Sequence, residues 1–329
     1  MRRFGTALAT TALALASCSS DPPAFETLLD VPDAAPGDLI ALRADGTAVE
    51  YVHRRDGTIS RVSDSPDGSA PRVELLATIA VSTEGEQRGL LGHAVVDGRR
   101  FAAWTEPGTL DLVVGEVTSG AVDRLVWAGT TTESKAVGGH LEAFEGRLLL
   151  GLGELTGWAR GHGSGALVIL DPDGGPEQVP VVMSDGWNNP FAFTVAADGD
   201  VWVADNAPDG ADLPVAERAS ERIGIAGPEG AEFSTLFAEP PPQRAPAAII
   251  ELPDGRLGVC GFVDNEMRAY EPITDRGPEN NGVRVVGLRL ERAGTIGPCQ
   301  TGAAVLADGA IVTASSSTLG TALLIRPAS

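Results

Sequence analysis

The chain has 329 residues, of which 45 are acidic and 24 are basic, and its formal net charge at pH 7 is −21. A domain this acidic repels nucleic acid and anionic lipid surfaces, so we expect no nucleic-acid partner. The 41 glycines, 23 prolines and short alternating apolar runs, without a capped helical pattern, argue against a helical fold and predict an all-β chain.

The N-terminal residues have the pattern of a bacterial export signal. Arg2 and Arg3 precede an apolar run from Phe4 to Ala16, which is too short to span a membrane as a helix. The run ends in Leu15-Ala16-Ser17-Cys18, which is typical of a lipobox. We therefore predict a lipoprotein signal peptide over residues 1–17; the alternative is an ordinary signal peptide followed by a chance cysteine.

Cleavage at this site would make Cys18 the lipidated N-terminus of the mature protein. Residues 18–24 then form a short polar tether, and residues 25–329 form the folded domain. We expect the protein in the bacterial cell envelope, facing the periplasm and held at the membrane by its lipid alone. Ser19 after the cysteine favours the outer membrane.

One dipeptide recurs at intervals of roughly fifty residues, between short apolar runs. Asp-Gly adopts the backbone angles of a tight hairpin turn, so each copy predicts one hairpin. Six copies of a unit with about four strands indicate a six-bladed β-propeller of four-stranded antiparallel blades. The copies are Asp45-Gly46, Asp97-Gly98, Glu145-Gly146 (which has Glu in place of Asp), Asp198-Gly199, Asp254-Gly255 and Asp308-Gly309.

The sixth repeat ends one strand short. A strand-like run, Phe25 to Val31, stands unused before the first repeat. We predict that it pairs beside Ala322 to Ile325 and closes the ring, because closure removes the exposed sheet edges.

Two cysteines remain in the predicted domain. Cys260 ends the second strand of the fifth repeat, and Cys299 precedes the first strand of the sixth, so both fall on one face of neighbouring blades. An extracytoplasmic address permits a disulfide between them. The alternative is two free thiols, one of them buried.

Four stretches in chain order, Ser82–Pro107, Gly138–Glu154, Gly165–Gly174 and Gly186–Gly210, carry a family resemblance. They include Gly-Leu-Leu-Gly before an inner strand, a Gly-Gly strand start, an Ile-Leu-Asp-Pro-Asp-Gly exit and an Asn-Pro turn. Together they resemble the soluble quinoprotein glucose/sorbosone dehydrogenases, which are six-bladed propellers.

The resemblance implies a mechanism that can be compared with the residues present. In that family a histidine takes the proton from the anomeric hydroxyl of a sugar while hydride passes to pyrroloquinoline quinone (PQQ). Calcium polarises the quinone, and basic side chains hold its carboxylates. PQQ and calcium are therefore the cofactors that the resemblance implies.

The position of the family's histidine base holds Ala136, which cannot accept a proton, and Lys135 replaces the acidic residue before it. His140 lies four residues further on and is our candidate for a relocated base. The alternative is that His140 is a polar residue of the channel wall.

The positions of the basic clamp are also changed. Asn188 stands where the family has arginine, although Asn189 and Pro190 match. Val263 and Gln300 lie near the other positions where a basic residue is expected. Burying the three carboxylates of PQQ without basic partners is costly, so these changes argue against quinone binding in the family's manner.

Other positions retain the family's chemistry. Gln87 matches a polar residue on the sugar side. The segment after Asp205-Asn206 matches the one whose backbone carbonyls hold calcium; the alternative there is an ordinary acidic turn. The predicted substrate- or cofactor-binding residues are Gln87, Asn188, Asn189, Glu154, Arg160 and Trp187. The predicted calcium ligands are Ala207, Pro208, Asp209 and Asp212.

Two functions remain open at this point. The first is a divergent, non-catalytic member of the family that presents its channel mouth to a sugar or a protein partner. The second is an active aldose dehydrogenase-like oxidoreductase with His140 as base and Arg160 at the cofactor. In both cases we expect a monomer.

Overall fold

The computed structural model describes residues 24–63, 70–154, 165–206, 221–226, 232–235, 244–276, 286–317 and 320–328. Within these ranges the chain forms 24 strands and no helix, and the strands form six four-stranded antiparallel sheets. The six-bladed β-propeller predicted from the repeat is confirmed. The described ranges hold no helix capable of spanning a bilayer, and Cys18 and the predicted signal peptide lie outside them.

Blades 1 to 5 each consist of four consecutive strands, and blade 6 combines both ends of the chain. Blade 1 contains β2 (Leu39–Asp45), β3 (Ala48–His53), β4 (Thr58–Ser63) and β5 (Arg72–Thr78). Blade 2 contains β6 (Leu90–Val96), β7 (Arg99–Thr105), β8 (Asp111–Glu116) and β9 (Arg124–Thr131). Blade 3 contains β10 (Gly138–Phe144), β11 (Arg147–Leu152), β12 (Ala166–Leu170) and β13 (Val181–Ser184). Blade 4 contains β14 (Ala192–Val195), β15 (Val201–Asp205), β16 (Arg222–Ala226) and β17 (Glu232–Thr235). Blade 5 contains β18 (Pro246–Glu251), β19 (Leu257–Gly261), β20 (Glu266–Arg276) and β21 (Val286–Pro298). Blade 6 contains β22 (Gly302–Val305), β23 (Ile311–Ser317), β24 (Gly320–Arg326) and β1 (Glu26–Val31).

The N-terminal strand closes the ring, as predicted. β1 pairs antiparallel with β24, with Glu26 opposite Ile325 and Asp30 opposite Ala322. Leu28 points into the core between blades 6 and 1, where it belongs to the same apolar cluster as Leu42 and Leu323. β1 therefore pairs with the edge of β24 and also contributes to the apolar core between blades 6 and 1.

The recurring Asp-Gly turns have different geometries. In blades 2 and 3 the two central residues both have positive φ, 50° and 76° at Asp97 and Gly98, which is the geometry of a two-residue hairpin. In blades 4 to 6 the loop has three residues: Ala196 N–H donates to Asp200 O, and Gly199 alone takes the left-handed conformation, with φ of 90°. The dipeptide predicts the position of each turn but not its length.

The apolar core lies between the blades. One cluster joins Leu91, Phe101 and Leu112 of blade 2 to Leu148 and Val168 of blade 3. Similar clusters occupy the other blade interfaces, and β2, β6, β10, β14, β18 and β22 surround the central channel. Each blade thus buries its faces against its neighbours, which is why the ring behaves as one unit.

A disulfide crosses the interface between blades 5 and 6. Cys260 at the end of β19 is bonded to Cys299 just before β22, with 5.2 Å between their Cα atoms. Both cysteines are fully buried. The predicted pairing is confirmed, and closing a loop of this length contributes roughly 3–4 kcal/mol.

A buried carboxylate links blades 1 and 2. Glu50 on β3 is only 2% exposed, and its oxygens contact His93 Nε2 at 3.2 Å and Arg100 Nη2 at 2.6 Å. Arg43 Nε lies 3.8 Å away. Burial raises the pKa of Glu50, but the hydrogen bond from His93 and the charges around it outweigh burial and lower the pKa to about 2. Burial also lowers the pKa of His93, so its imidazole is neutral.

The closure of the ring is testable at β1. We expect Leu28→Ala to lower the free energy of unfolding by about 2–4 kcal/mol, because it removes buried side-chain volume from a blade interface. Thr27→Ala, at an exposed neighbour on the same strand, is the control and should change it by less than about 0.5 kcal/mol. Deleting residues 24–32 should unfold the whole propeller. Urea unfolding of the purified chain measures both; equal effects of the two substitutions would contradict the prediction.

The Glu50 cluster predicts loss of stability in acid. Both folded pKa values lie below the unfolded ones, 4.5 for glutamate and 6.5 for histidine, so protonation favours the unfolded chain. Stability contributed by the cluster is complete above about pH 6.5 and is lost as the pH falls towards 2.

Glu50→Gln tests this link. It should destabilise the protein at pH 7 by about 3 kcal/mol, because Arg100 loses its buried partner, and it should remove the part of the fall in stability between pH 4.5 and 2 that comes from Glu50 itself. The exposed Glu74→Gln on β5 of the same blade should leave the pH profile unchanged. The measurement is Tm against pH by calorimetry, and a Glu50→Gln profile parallel to that of the unmodified protein would exclude the proposed link.

Candidate functional site

Two cavities lie along the axis of the ring. The upper cavity, about 210 Å³, opens on the face opposite the Asp-Gly turns, and the channel cavity, about 570 Å³, lies on the turn side. The two share Phe191, Ala247 and Thr301 in their walls. These three residues mark the boundary between them.

The two residues after β3 bring positive charge to the wall of the upper cavity, and Asp38 lies buried behind them. β3 starts at a turn, so its end delivers Arg54 and Arg55 to the upper face, where both line the cavity. The Arg54 guanidinium donates to the carbonyl oxygens of Gly37, Glu86 and Arg88 and to Asp38 Oδ1. Arg54 is thus buried, and four of its five N–H groups have acceptors.

Arg55 differs from its neighbour. Its Nε lies 3.0 Å from Asp38 Oδ1, while its side chain is 53% exposed. Within the described ranges, its two terminal nitrogens have no hydrogen-bond partner. Asp38 Oδ2 accepts the N–H of Ala35, so the carboxylate that orients Arg55 is itself fixed.

Gln87 and Phe262 bring an amide and an aromatic ring to the same cavity. Gln87 is exposed, and its backbone N–H donates to Ser134 O. The Phe262 ring is 40% exposed and lies over Gly37, where an added Cβ would come within 3.3 Å of the ring. The cavity therefore combines an aromatic surface, an amide and a guanidinium.

The Asn-Pro turn is held by a buried carboxylate. Asp205 accepts the backbone N–H groups of Asn188 and Asn189 and also contacts Arg222 Nη2. Asn189 lines the upper cavity, and its Oδ1 accepts the N–H of Gly138, which fixes the start of β10. Asn188 is buried beside it. Asp205, which the sequence places next to a calcium-like segment, thus has a positioning role at this turn.

Trp187 and Glu154 do not line the upper cavity, whereas Gln87 does. Trp187 is buried in the core between blades 3 and 4, with its Nε1–H donating to Ser184 Oγ. The N–H of Glu154 donates to Ala136 O, in the position of the family's base. Lys135 is exposed, 3.6 Å from Glu86 Oε1. Trp187, a predicted binding residue, lies on the loop between β13 and β14, but its ring packs inward and does not line the upper cavity.

His140 faces the channel cavity. Its Nε2 is 3.2 Å from Glu142 Oε1, and its ring packs edge-on against Phe193 with 4.6 Å between centroids. His140 lies within a register shift of β10 between Gly138 and Leu141. Simple alternation of side chains along the strand therefore could not give the direction of the His140 side chain. His140 therefore lies on the far side of the boundary from Gln87 and Asn189.

Five predicted site residues, Arg160, Ala207, Pro208, Asp209 and Asp212, lie outside the described residues. Among the residues that are described, no group of three or more His, Cys, Asp or Glu side chains could hold a metal ion.

Arg54, Arg55 and Phe262 were missed by reasoning from the sequence, because that reasoning searched the positions where the family has its clamp. The available signal was the pair of arginines directly after the second strand of blade 1. In a propeller the end of the second strand of a blade lies on the face opposite the turn between the first and second strands, which is here the upper face.

Comparison with known proteins agrees with this architecture. No protein-family model and no curated protein matches the sequence. Similar solved structures include a Thermus thermophilus protein provisionally assigned as an oxidoreductase (glucose dehydrogenase), with 18% identity over 92% of this chain and 99% of that one and a TM-score of 0.69. PQQ-bound aldose sugar dehydrogenase from Streptomyces coelicolor has 16% identity over 92% and 98% and a TM-score of 0.63. The PQQ domain of pyranose dehydrogenase from Coprinopsis cinerea has 12% identity over 92% and 95% and a TM-score of 0.61.

These similarities confirm the propeller fold that the sequence resemblance predicts. At such identities they do not carry a reaction or a ligand to this chain.

The described residues of the upper cavity do not fit PQQ. The quinone carries three carboxylates, whereas the basic residues in the described wall are Arg54 and Arg55. Arg54 is buried and uses four of its five N–H groups within the protein, and both arginines contact Asp38. One uncompensated cation does not balance three buried carboxylates.

The turn held by Asp205 yields a stability prediction. Asp205→Ala should lower the free energy of unfolding by about 3 kcal/mol or more, because it leaves two buried N–H groups and Arg222 without this acceptor. Asp185→Ala, at an exposed position in the same loop, is the control. Urea unfolding checks both variants, and a loss below about 1 kcal/mol for Asp205→Ala would contradict the assigned role.

Proposed function

We propose that this chain is a sugar-binding propeller of the bacterial cell envelope, related in fold to PQQ-dependent sugar dehydrogenases but without their oxidation chemistry. The observation that carries the proposal is the composition of the upper cavity. Phe262, Gln87 and Arg55 supply an apolar ring surface and polar groups suited to a sugar. Lipidation of Cys18 would tether the chain through the start of β1, where Glu26 lies opposite Ile325 at the turn face, so the upper cavity would open on the other face.

The absence of a suitable proton acceptor supports binding over catalysis. A general base must lie within hydrogen-bond reach of the hydroxyl that it deprotonates. Ala136 stands in the position of the family's base, and the described wall of the upper cavity has no histidine. Its carboxylate, Glu86, is exposed and lies beside Lys135.

Calorimetric titration of the purified full chain with D-glucose and other aldoses tests the proposal. We expect saturable binding and no reduction of a dye when PQQ and calcium are added. Phe262→Ala should weaken sugar binding roughly tenfold, because the ring surface is lost. Val263→Ala, the exposed neighbour outside the cavity wall, is the control. If no aldose binds, sugar recognition is excluded and a protein partner becomes the next candidate.

A second candidate function is an active sugar oxidoreductase. The hydrogen bond between His140 and Glu142 in the channel cavity favours it, because a carboxylate beside an imidazole supports proton acceptance. It requires substrate to pass the boundary at Phe191. Sugar-dependent dye reduction that is abolished by His140→Ala would establish this function in place of simple binding.

A further inference from the structure

Positive charge collects at the upper cavity although the chain as a whole is strongly acidic. Among the charged residues that line the described wall, Arg54 and Arg55 stand against Glu86, an excess of one cation. The formal net charge of the chain is −21. A local excess of this sign attracts an anion and repels a cation.

The contacts of Arg55 indicate that its guanidinium carries the excess positive charge of the upper cavity. Asp38 contacts both arginines, and Arg54 is buried and already donates to three carbonyl oxygens besides Asp38. Arg55 contacts Asp38 through Nε, which leaves the N–H groups at the far end of its guanidinium without a partner among the described residues. Parallel N–H groups of this kind match the two oxygens of a carboxylate.

The neighbours of Arg55 restrict the kind of carboxylate. Phe262 offers an aromatic surface and Gln87 an amide in the same small cavity of about 210 Å³. A sugar ring packs its apolar face on an aromatic side chain and presents hydroxyls to an amide. One guanidinium whose terminal N–H groups are open suits one carboxylate. PQQ, in contrast, carries three.

We propose that the ligand of the upper cavity is an acidic monosaccharide, a uronate or a related sugar acid, whose carboxylate is bound by the terminal nitrogens of Arg55. This inference rests on the proposed sugar-binding function and adds the charge of the sugar to it. Asp38 acts as a positioning residue that fixes the guanidinium.

The test compares two sugars that differ only at C6, D-glucuronate and D-glucose, by calorimetric titration of the purified full chain. We expect the dissociation constant for glucuronate to be roughly tenfold lower, or more, at low salt, and the difference to shrink as salt is added. The comparison needs no variant, so a folding defect cannot obscure it.

Variants then assign the preference to Arg55. Arg55→Gln should bring the ratio of the two dissociation constants close to one, and Arg55→Lys should give an intermediate ratio because the charge remains and the fork is lost. Arg61→Gln is the control, an arginine of the same blade that pairs with Asp45 at the turn face. It should leave the ratio unchanged. Thermal unfolding checks that each variant is folded.

The outcomes separate the two proposals. Equal affinity for glucose and glucuronate overturns the acidic-sugar inference and leaves sugar binding intact. Failure of both sugars to bind overturns the proposed function and this inference together. Tight binding of PQQ that depends on Arg55, without binding of either sugar, assigns the guanidinium to a cofactor carboxylate and also overturns the inference.

Discussion

The pairing of β1 with β24 is the constraint on which the other features of the structure depend. A single blade cannot bury both of its faces, so each relies on the blade before and the blade after it. The antiparallel register from Glu26 opposite Ile325 to Val31 opposite Thr321 completes that circle. The six inner strands then face one axis, and the two cavities exist because the circle is complete.

Several polar side chains near the axis form hydrogen bonds that link neighbouring segments. Glu50 of blade 1 accepts from His93 and Arg100 of blade 2, and Glu142 of blade 3 accepts the N–H of Val195 in blade 4. Within blade 4, Asp205 holds the turn at Asn188. Buried carboxylates such as Glu50 and Asp205 are costly unless such partners are present, which explains why these two have several. Arg55 contrasts with them, because its position is fixed by one carboxylate while its terminal nitrogens stay open to solvent.

A shared scaffold does not by itself determine the chemistry of a protein. The backbone of this chain follows that of PQQ-dependent sugar dehydrogenases over 92% of its length. The residues that would perform oxidation, however, depend on single positions such as that of Ala136. A fold is determined by many weak apolar contacts, whereas a reaction is determined by a few side chains. A reaction can therefore change while the fold is kept.

The sequence alone determined the number of blades, the closure by the N-terminal strand and the Cys260–Cys299 pair. These follow from local signals, namely alternating apolar residues, turn dipeptides and the place of each cysteine within its repeat. The tertiary structure decided that Trp187 packs inward, that a register shift accompanies the placement of His140 in the channel cavity, and that Arg54, Arg55 and Phe262 meet at one cavity. Those outcomes depend on strand register and on packing between loops far apart in the chain, which local patterns do not encode.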